Sequence, residues 1–218
     1  MKGPKMIRIP KAQRLACAAA LFGAVCAALG YEPLQVAPSE PEKVDLAVKD
    51  EKRGREIPVR VFLPKENGPA AVVLFSHGLG GTRATCGYLG QHWARRGYVA
   101  VFLQHPGSDD SVWKDKPLVE VMPAMKKAAN AENLILRVQD VPAVLDELER
   151  WNGRQDHPLR GRLDLKRIGM SGHSFGAITT QAVSGQTFPV QKDVTDRRIL
   201  AALVLSPSSP RLGDPKQA

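Results

Sequence analysis

Three stretches of this chain, residues 70–75 (AAVVLF), 98–103 (YVAVFL) and 200–205 (LAALVL), are apolar runs without polar alternation. A strand with water on one face alternates with a period of two, so such runs predict strands buried on both faces of a parallel sheet. Between them the spacing becomes helical. Tyr88, Leu89, His92 and Trp93 share a helix face that stops at Gly97, a C-terminal cap position. Val144, Leu145, Leu148 and Trp151 define a second helix, expected to begin near Asp140 with Pro142 in its first turn and to close at Asn152-Gly153. A short strand at 167–170 and a helix at 175–184 precede the last apolar run. This order predicts an α/β fold with a doubly wound, mostly parallel sheet.

The flanks are read differently. Residues 44–48 and 57–63 alternate around the charged turn Lys52-Arg53-Gly54-Arg55, which predicts a β-hairpin of two half-polar edge strands. Residues 107–130 hold Pro117 and Pro123 among Gly, Ser and Asp; they are expected to form an insertion over a sheet end rather than one element.

The net charge of +9 would suggest nucleic acid or an anionic surface if it covered one face. It does not. Lys2, Lys5, Arg8, Lys11 and Arg14 lie in the first 14 residues, and the first acidic residue is Glu32. Beyond residue 30 there remain 26 basic against 22 acidic residues. Trp93, Trp113 and Trp151 are too scattered for a base-stacking platform, and Arg95-Arg96 and Arg197-Arg198 read as solvated charges at element ends. No nucleic-acid partner is expected.

The basic start, the apolar run 15–29 and the small residues Ala28-Leu29-Gly30 have the form of a secretory signal, with cleavage expected after Gly30. The run is shorter than the roughly 20 residues of a spanning helix and rich in Ala, so an uncleaved membrane anchor is the lesser alternative. Neither Cys17 nor Cys26 has a good lipoprotein context. The expected organisation is a signal peptide at 1–30, a Pro- and Glu-rich linker at 31–43 and one domain at 44–218, exported to the periplasm or the exterior. Past the leader only Cys86 remains, so neither an internal disulfide nor a cysteine zinc site is available. Cys86 reads as a small apolar filler near a helix start.

Gly172-His173-Ser174-Phe175-Gly176 fits G-x-S-x-G, between an apolar strand (RIGM) and a helix-forming run (AITTQAV). That setting makes Ser174 a candidate nucleophile on a strained turn, with small neighbours that let strand and helix approach. His77-Gly78-Leu79-Gly80-Gly81 directly follows another buried strand. An acyl-transfer oxyanion needs two pre-aimed donors, and the backbone N–H groups of Leu79 and Phe175 are the natural pair. His77 and His105 are candidate loop-shaping or pocket residues, and Trp113 could line an acyl or alcohol pocket. No H-E-x-x-H, paired-cysteine or P-loop pattern occurs, so no metal or cofactor is expected.

The segments FSHGLGGTR, RRGYVAVFLQHPGSD and IGMSGHSFGA resemble the α/β-hydrolase superfamily. They are closest to its branch of platelet-activating-factor acetylhydrolases, dienelactone-hydrolase-like proteins and cutinase-like enzymes, over residues 44–208. The resemblance implies a serine esterase acting on an ester small molecule, a lipid or a polyester. Ser174 is carried over as nucleophile and Leu79 and Phe175 as oxyanion donors; peptidase activity would use the same machinery.

One departure stands out. In this fold the acid and then the histidine follow the serine, yet His77, His92, His105, His157 and His173 all precede Ser174. The chain is therefore expected to hold the N-terminal portion of the domain, with its final strands missing and turnover impaired. Strand position alone would allow a substitute base at His105, oriented by Asp109 or Asp110. Asp193 and Asp196 precede the last strand, and Asp214 lies near the chain end. The competing class is a non-catalytic relative that binds lipid, glycan or a partner.

Overall fold

The computed structural model describes residues 36–187 and 193–207. The chain divides after Val36; the first unit lies, but for Val36, outside the described residues, as do the proposed leader and Asp214. The second unit is built on one six-stranded sheet of order β1-β2-β4-β3-β5-β6. Its strands are β1 (Glu42–Asp50), β2 (Arg55–Leu63), β3 (Ala70–Ser76), β4 (Val99–Leu103), β5 (Leu163–His173) and β6 (Ile199–Leu205). β1 and β2 form the antiparallel hairpin, β2 joins β4 antiparallel, and β4, β3, β5 and β6 run parallel. The architecture is the expected α/β class.

Among the described residues four helices complete it: α1 (Gly87–Arg95), α2 (Leu118–Ala128), α3 (Ala131–Gly153) and α4 (Phe175–Val183). The face of α3 carrying Val138, Val141, Val144, Leu145, Leu148 and Trp151 packs into the main core with Val59, Val61, Leu74 and Val101. On the other side of the sheet, Phe62, Phe75 and Phe102 form an aromatic cluster against Trp93 of α1, with Phe75 and Phe102 stacked at 4.6 Å. Cys86 is half-buried beside this cluster, at the N-cap of α1.

Several expectations need correction. α3 begins at Ala131, not near Asp140; the Asn130 side chain caps it by accepting from the Asn133 N–H at 2.7 Å, and Pro142 sits inside the helix. Residues 107–130 contain a helix, α2, with Pro123 within it, and a 3₁₀ turn at Asp110–Val112. β1 starts at Glu42, two residues inside the stretch read as linker. β2 is no edge strand: it lies between β1 and β4 with Ile57, Val59, Val61, Phe62 and Leu63 buried. Among the described residues β6 is the last strand of the sheet, and Leu200 is 68% and Leu203 52% exposed there. Apolar content reports what a strand can bury, whereas its place in the sheet decides what is covered.

Leu148 is fully buried in this core and Leu118 on α2 is 88% exposed. Leu148→Ala should therefore cost about 2–5 kcal/mol in denaturant unfolding, whereas Leu118→Ala should stay within about 0.5 kcal/mol.

Candidate active site

β3 has β4 on one side and β5 on the other, so chain order reverses at this strand. In an open α/β sheet, the carboxyl ends beside such a reversal form a crevice. The register aligns three loops there: Ser76 is level with Leu103 of β4 and with Gly172 of β5. These loops are the Gly-rich segment 77–81, the segment 104–110 and the turn at Ser174.

Ser174 has φ 54° and ψ −112°, a conformation costly for a residue with a Cβ. It is half-buried, and its N–H donates to the Leu205 carbonyl at 2.9 Å. The two motif glycines are required by close approach. A Cβ at Gly172 would collide with the Gly176 carbonyl, and one at Gly176 with the Ser76 and His77 carbonyls. A Cβ at Gly78 would lie 3.6 Å from the Ser174 Cβ, so the Gly-rich loop packs directly on the turn. Among the described residues, neither the Leu79 nor the Phe175 N–H is taken by a backbone acceptor. Phe175 opens α4, where N–H groups lack intrahelical partners and the helix dipole is positive.

The Gly-rich loop is held from outside. The Gly80 N–H donates to the Ser108 carbonyl at 2.8 Å, and Gly81 bridges to Asp109. Trp113 donates its Nε1–H to the Gly80 carbonyl at 2.8 Å and is 39% exposed. Trp113 and Met125 of α2 both cover Gly80.

His77 and His105 are fully buried. The His105 N–H donates to His77 Nε2 at 3.0 Å, which puts the His77 proton on Nδ1, where it donates to the Gly78 carbonyl at 2.6 Å. His105 lies between Ser76 Oγ (2.9 Å from Nε2) and Asp140 Oδ2 (2.9 Å from Nδ1). Asp109 and Asp110 do not orient it: Asp109 accepts from Gln104 and Ser111 instead. The line Ser76–His105–Asp140 has the hydrogen-bond order of a catalytic triad, but Ser76 is wholly buried and no carbonyl can reach it. With both ring nitrogens so occupied, neither His77 nor His105 offers one to Ser174. His173 is exposed, with Nδ1 beside Gly78. Asp196 pairs with Arg198, which also reaches Asp146.

Asp140 is the buried charge of this network. Arg55 grips it through Nε (2.7 Å) and a terminal nitrogen (3.0 Å), and Arg53 donates to it at 3.0 Å. Burial alone would raise its pKa, but the hydrogen bonds from His105 and Arg55 outweigh this and hold it below 3.8. Burial, with the Arg137 charge, lowers His105 from 6.5 to about 4 against the Asp140 hydrogen bond. Burial, Arg137 and His105 likewise hold His77 well below 6.5. Both imidazoles are thus neutral near pH 7, and the His105–Asp140 contact joins a neutral donor to an anion.

Arg137, Asp140, Ser76, Ser108 and Thr179 are not legible as site residues from the sequence. A signal does exist: Arg137 and Asp140 lie one turn apart on the apolar face of α3, where charge is unexpected. Among the described residues, no group of three or more His, Cys, Asp or Glu is placed to hold a metal ion.

The sheet order and the serine turn are those of an α/β-hydrolase fold. No protein-family model and no curated protein matches the chain. Among solved structures it is similar to a cold-adapted esterase from an Arctic intertidal metagenomic library, solved with polyethylene glycol bound. The TM-score is 0.50 at 17% identity, over 78% of this chain and 65% of that one. A hypothetical protein from Pseudomonas aeruginosa gives 0.51 at 15% identity, over 80% of this chain and 45% of that one. The chain thus spans less than two thirds of the length of these neighbours.

The lowered His105 pKa sets the sign of the pH dependence. The unfolded chain takes up a proton below about 6.5 that the native state refuses until about 4, so stability is full above 6.5 and lost as pH falls through that window. The loss from His105 should reach about 3 kcal/mol. Denaturant unfolding at pH 7.5, 5.5 and 4.5 checks it; a flat profile would contradict a neutral buried His105.

Proposed function

We propose that this chain is a serine hydrolase of carboxylic esters, with Ser174 as nucleophile. The observation that carries the reading is the half-buried Ser174 at φ 54° with the Gly-rich loop packed against it and two unclaimed N–H groups nearby. The Ser174 oxygen attacks the ester carbonyl carbon as its proton passes to a water molecule in the crevice, which returns it to the departing alcohol oxygen. The Leu79 and Phe175 N–H groups receive the oxyanion, the alcohol leaves, and water hydrolyses the acyl-enzyme. Trp113 and Met125, covering Gly80, offer an apolar wall to the acyl or alcohol part. Polyethylene glycol, held by the esterase neighbour, is a linear polyether, and an extended small-molecule or polyester substrate fits that precedent.

Acylation and deacylation are both proposed to be slow, because the buried histidines beside the crevice are committed elsewhere. The same commitment favours the second reading, a binding protein that retains the fold. A fluorophosphonate separates the two. A hydrolase should be phosphonylated at Ser174, with fluoride released, and Ser174→Ala should abolish labelling and any p-nitrophenyl ester turnover above background. An unlabelled wild-type chain would sink the hydrolase reading. Export through the leader is proposed on residues 1–30, and the exported protein should begin at Tyr31 by N-terminal sequencing.

A further inference from the structure

Resting on the reading of Ser174 as nucleophile, we propose that Arg137 is the positioning residue that holds the two oxyanion donors in register. Its guanidinium, carried by the second turn of α3, is fully buried and makes contact with both halves of the site. Toward the Gly-rich loop it donates to Ser76 Oγ at 3.0 Å and to the His77 carbonyl, the two residues that lead into Gly78 and Leu79. It also donates to Ser108 Oγ at 2.9 Å, and the Ser108 carbonyl is the acceptor that pins the Gly80 N–H. Toward the serine turn, its Nε–H donates to Thr179 Oγ1 at 3.1 Å; Thr179 in turn bonds back to the Phe175 carbonyl one turn earlier. The guanidinium carbon lies 4.7 Å from the centroid of the Phe175 ring.

One rigid planar group therefore touches the residues before Leu79, the residue that anchors Gly80, and the side chain of Phe175. A lysine could not reproduce this, because an ammonium lacks the fixed fork of five donors and the flat face that stacks on a ring. Among the described residues its acceptors are hydroxyls and a carbonyl, with no carboxylate bonded directly. Burial lowers the Arg137 pKa to about 9, opposed by the charges of Asp140 and Asp109, which leaves it protonated near neutrality. A buried cation bonded only to neutral groups is expensive for stability alone. Its placement between the two donors supplies a use for it.

The test compares full-length wild type with Arg137→Lys and Ser108→Ala, each verified as folded by near-UV circular dichroism. The saturating rate of Ser174 phosphonylation should fall about tenfold to a hundredfold in Arg137→Lys. The half-saturating fluorophosphonate concentration should change less than about twofold, because the donors act after binding. Backbone hydrogen exchange of residues 77–81 and 174–178 should accelerate, while β4 stays protected. Ser108→Ala removes one acceptor and keeps the charge, so it should show the same signs at smaller size, and it stands in if Arg137→Lys does not fold. A folded Arg137→Lys with an unchanged saturating rate, or with unchanged exchange at 77–81, would overturn the role of Arg137. If wild type is not phosphonylated, the hydrolase reading fails separately, and exchange at 77–81 still decides whether Arg137 holds the loop.

Discussion

Backbone meets backbone where the turn at Ser174 crosses the carboxyl end of β3, and the candidate site depends on that contact. Gly176 lies against the Ser76 and His77 carbonyls, and Gly172 against the Gly176 carbonyl. Only hydrogen fits in these places, so α4 can start directly against the end of β3 and the loop that follows it. The strained Ser174 conformation, costing about 1–3 kcal/mol, persists because the helix it opens is well buried. Ala177, Ala182 and Val183 of α4 are fully covered, and the Ser174 N–H is tied to β6.

Around that contact the molecule buries polar groups and satisfies them. Asp140 would be prohibitively costly alone. It is made tolerable by two arginines from the hairpin turn and by His105, so the charged turn at 52–55 helps to close the core beneath the site. The Ser76–His105–Asp140 line shows why hydrogen-bond order alone is weak evidence for catalysis. Distances of 2.9 Å are right for a triad, but a wholly buried serine has no access to substrate. These residues instead shape the loops on which Ser174 relies.

Legibility in the sequence tracks the range of the interactions. The strands at 70–75 and 98–103, the hairpin and the serine turn are carried by neighbours in the chain, and the structure holds each near its expected bounds. The start of α3 is hidden because Pro142 looks like a first-turn residue, while the Asn130 cap lies twelve residues earlier. Burial at β2 is hidden because a side-chain pattern does not encode which strand lies at the edge of a sheet. Proximity offers Asp109 or Asp110 as the partner of His105, and a carboxylate thirty-five residues away takes that place.

The α/β class, the placement of Ser174 between strand and helix, and the need for glycine on either side of it all follow from short stretches of the chain. These depend on local sterics and on apolar periodicity, which a short segment carries in full. That Arg137 and Asp140, one turn apart on a helix, serve opposite sides of the same polar network emerges only once the sheet and α3 are packed together. The same packing leaves both histidines beside the crevice neutral and committed elsewhere. Those outcomes depend on which groups lose water together, and desolvation is a property of the packed neighbourhood rather than of any one segment.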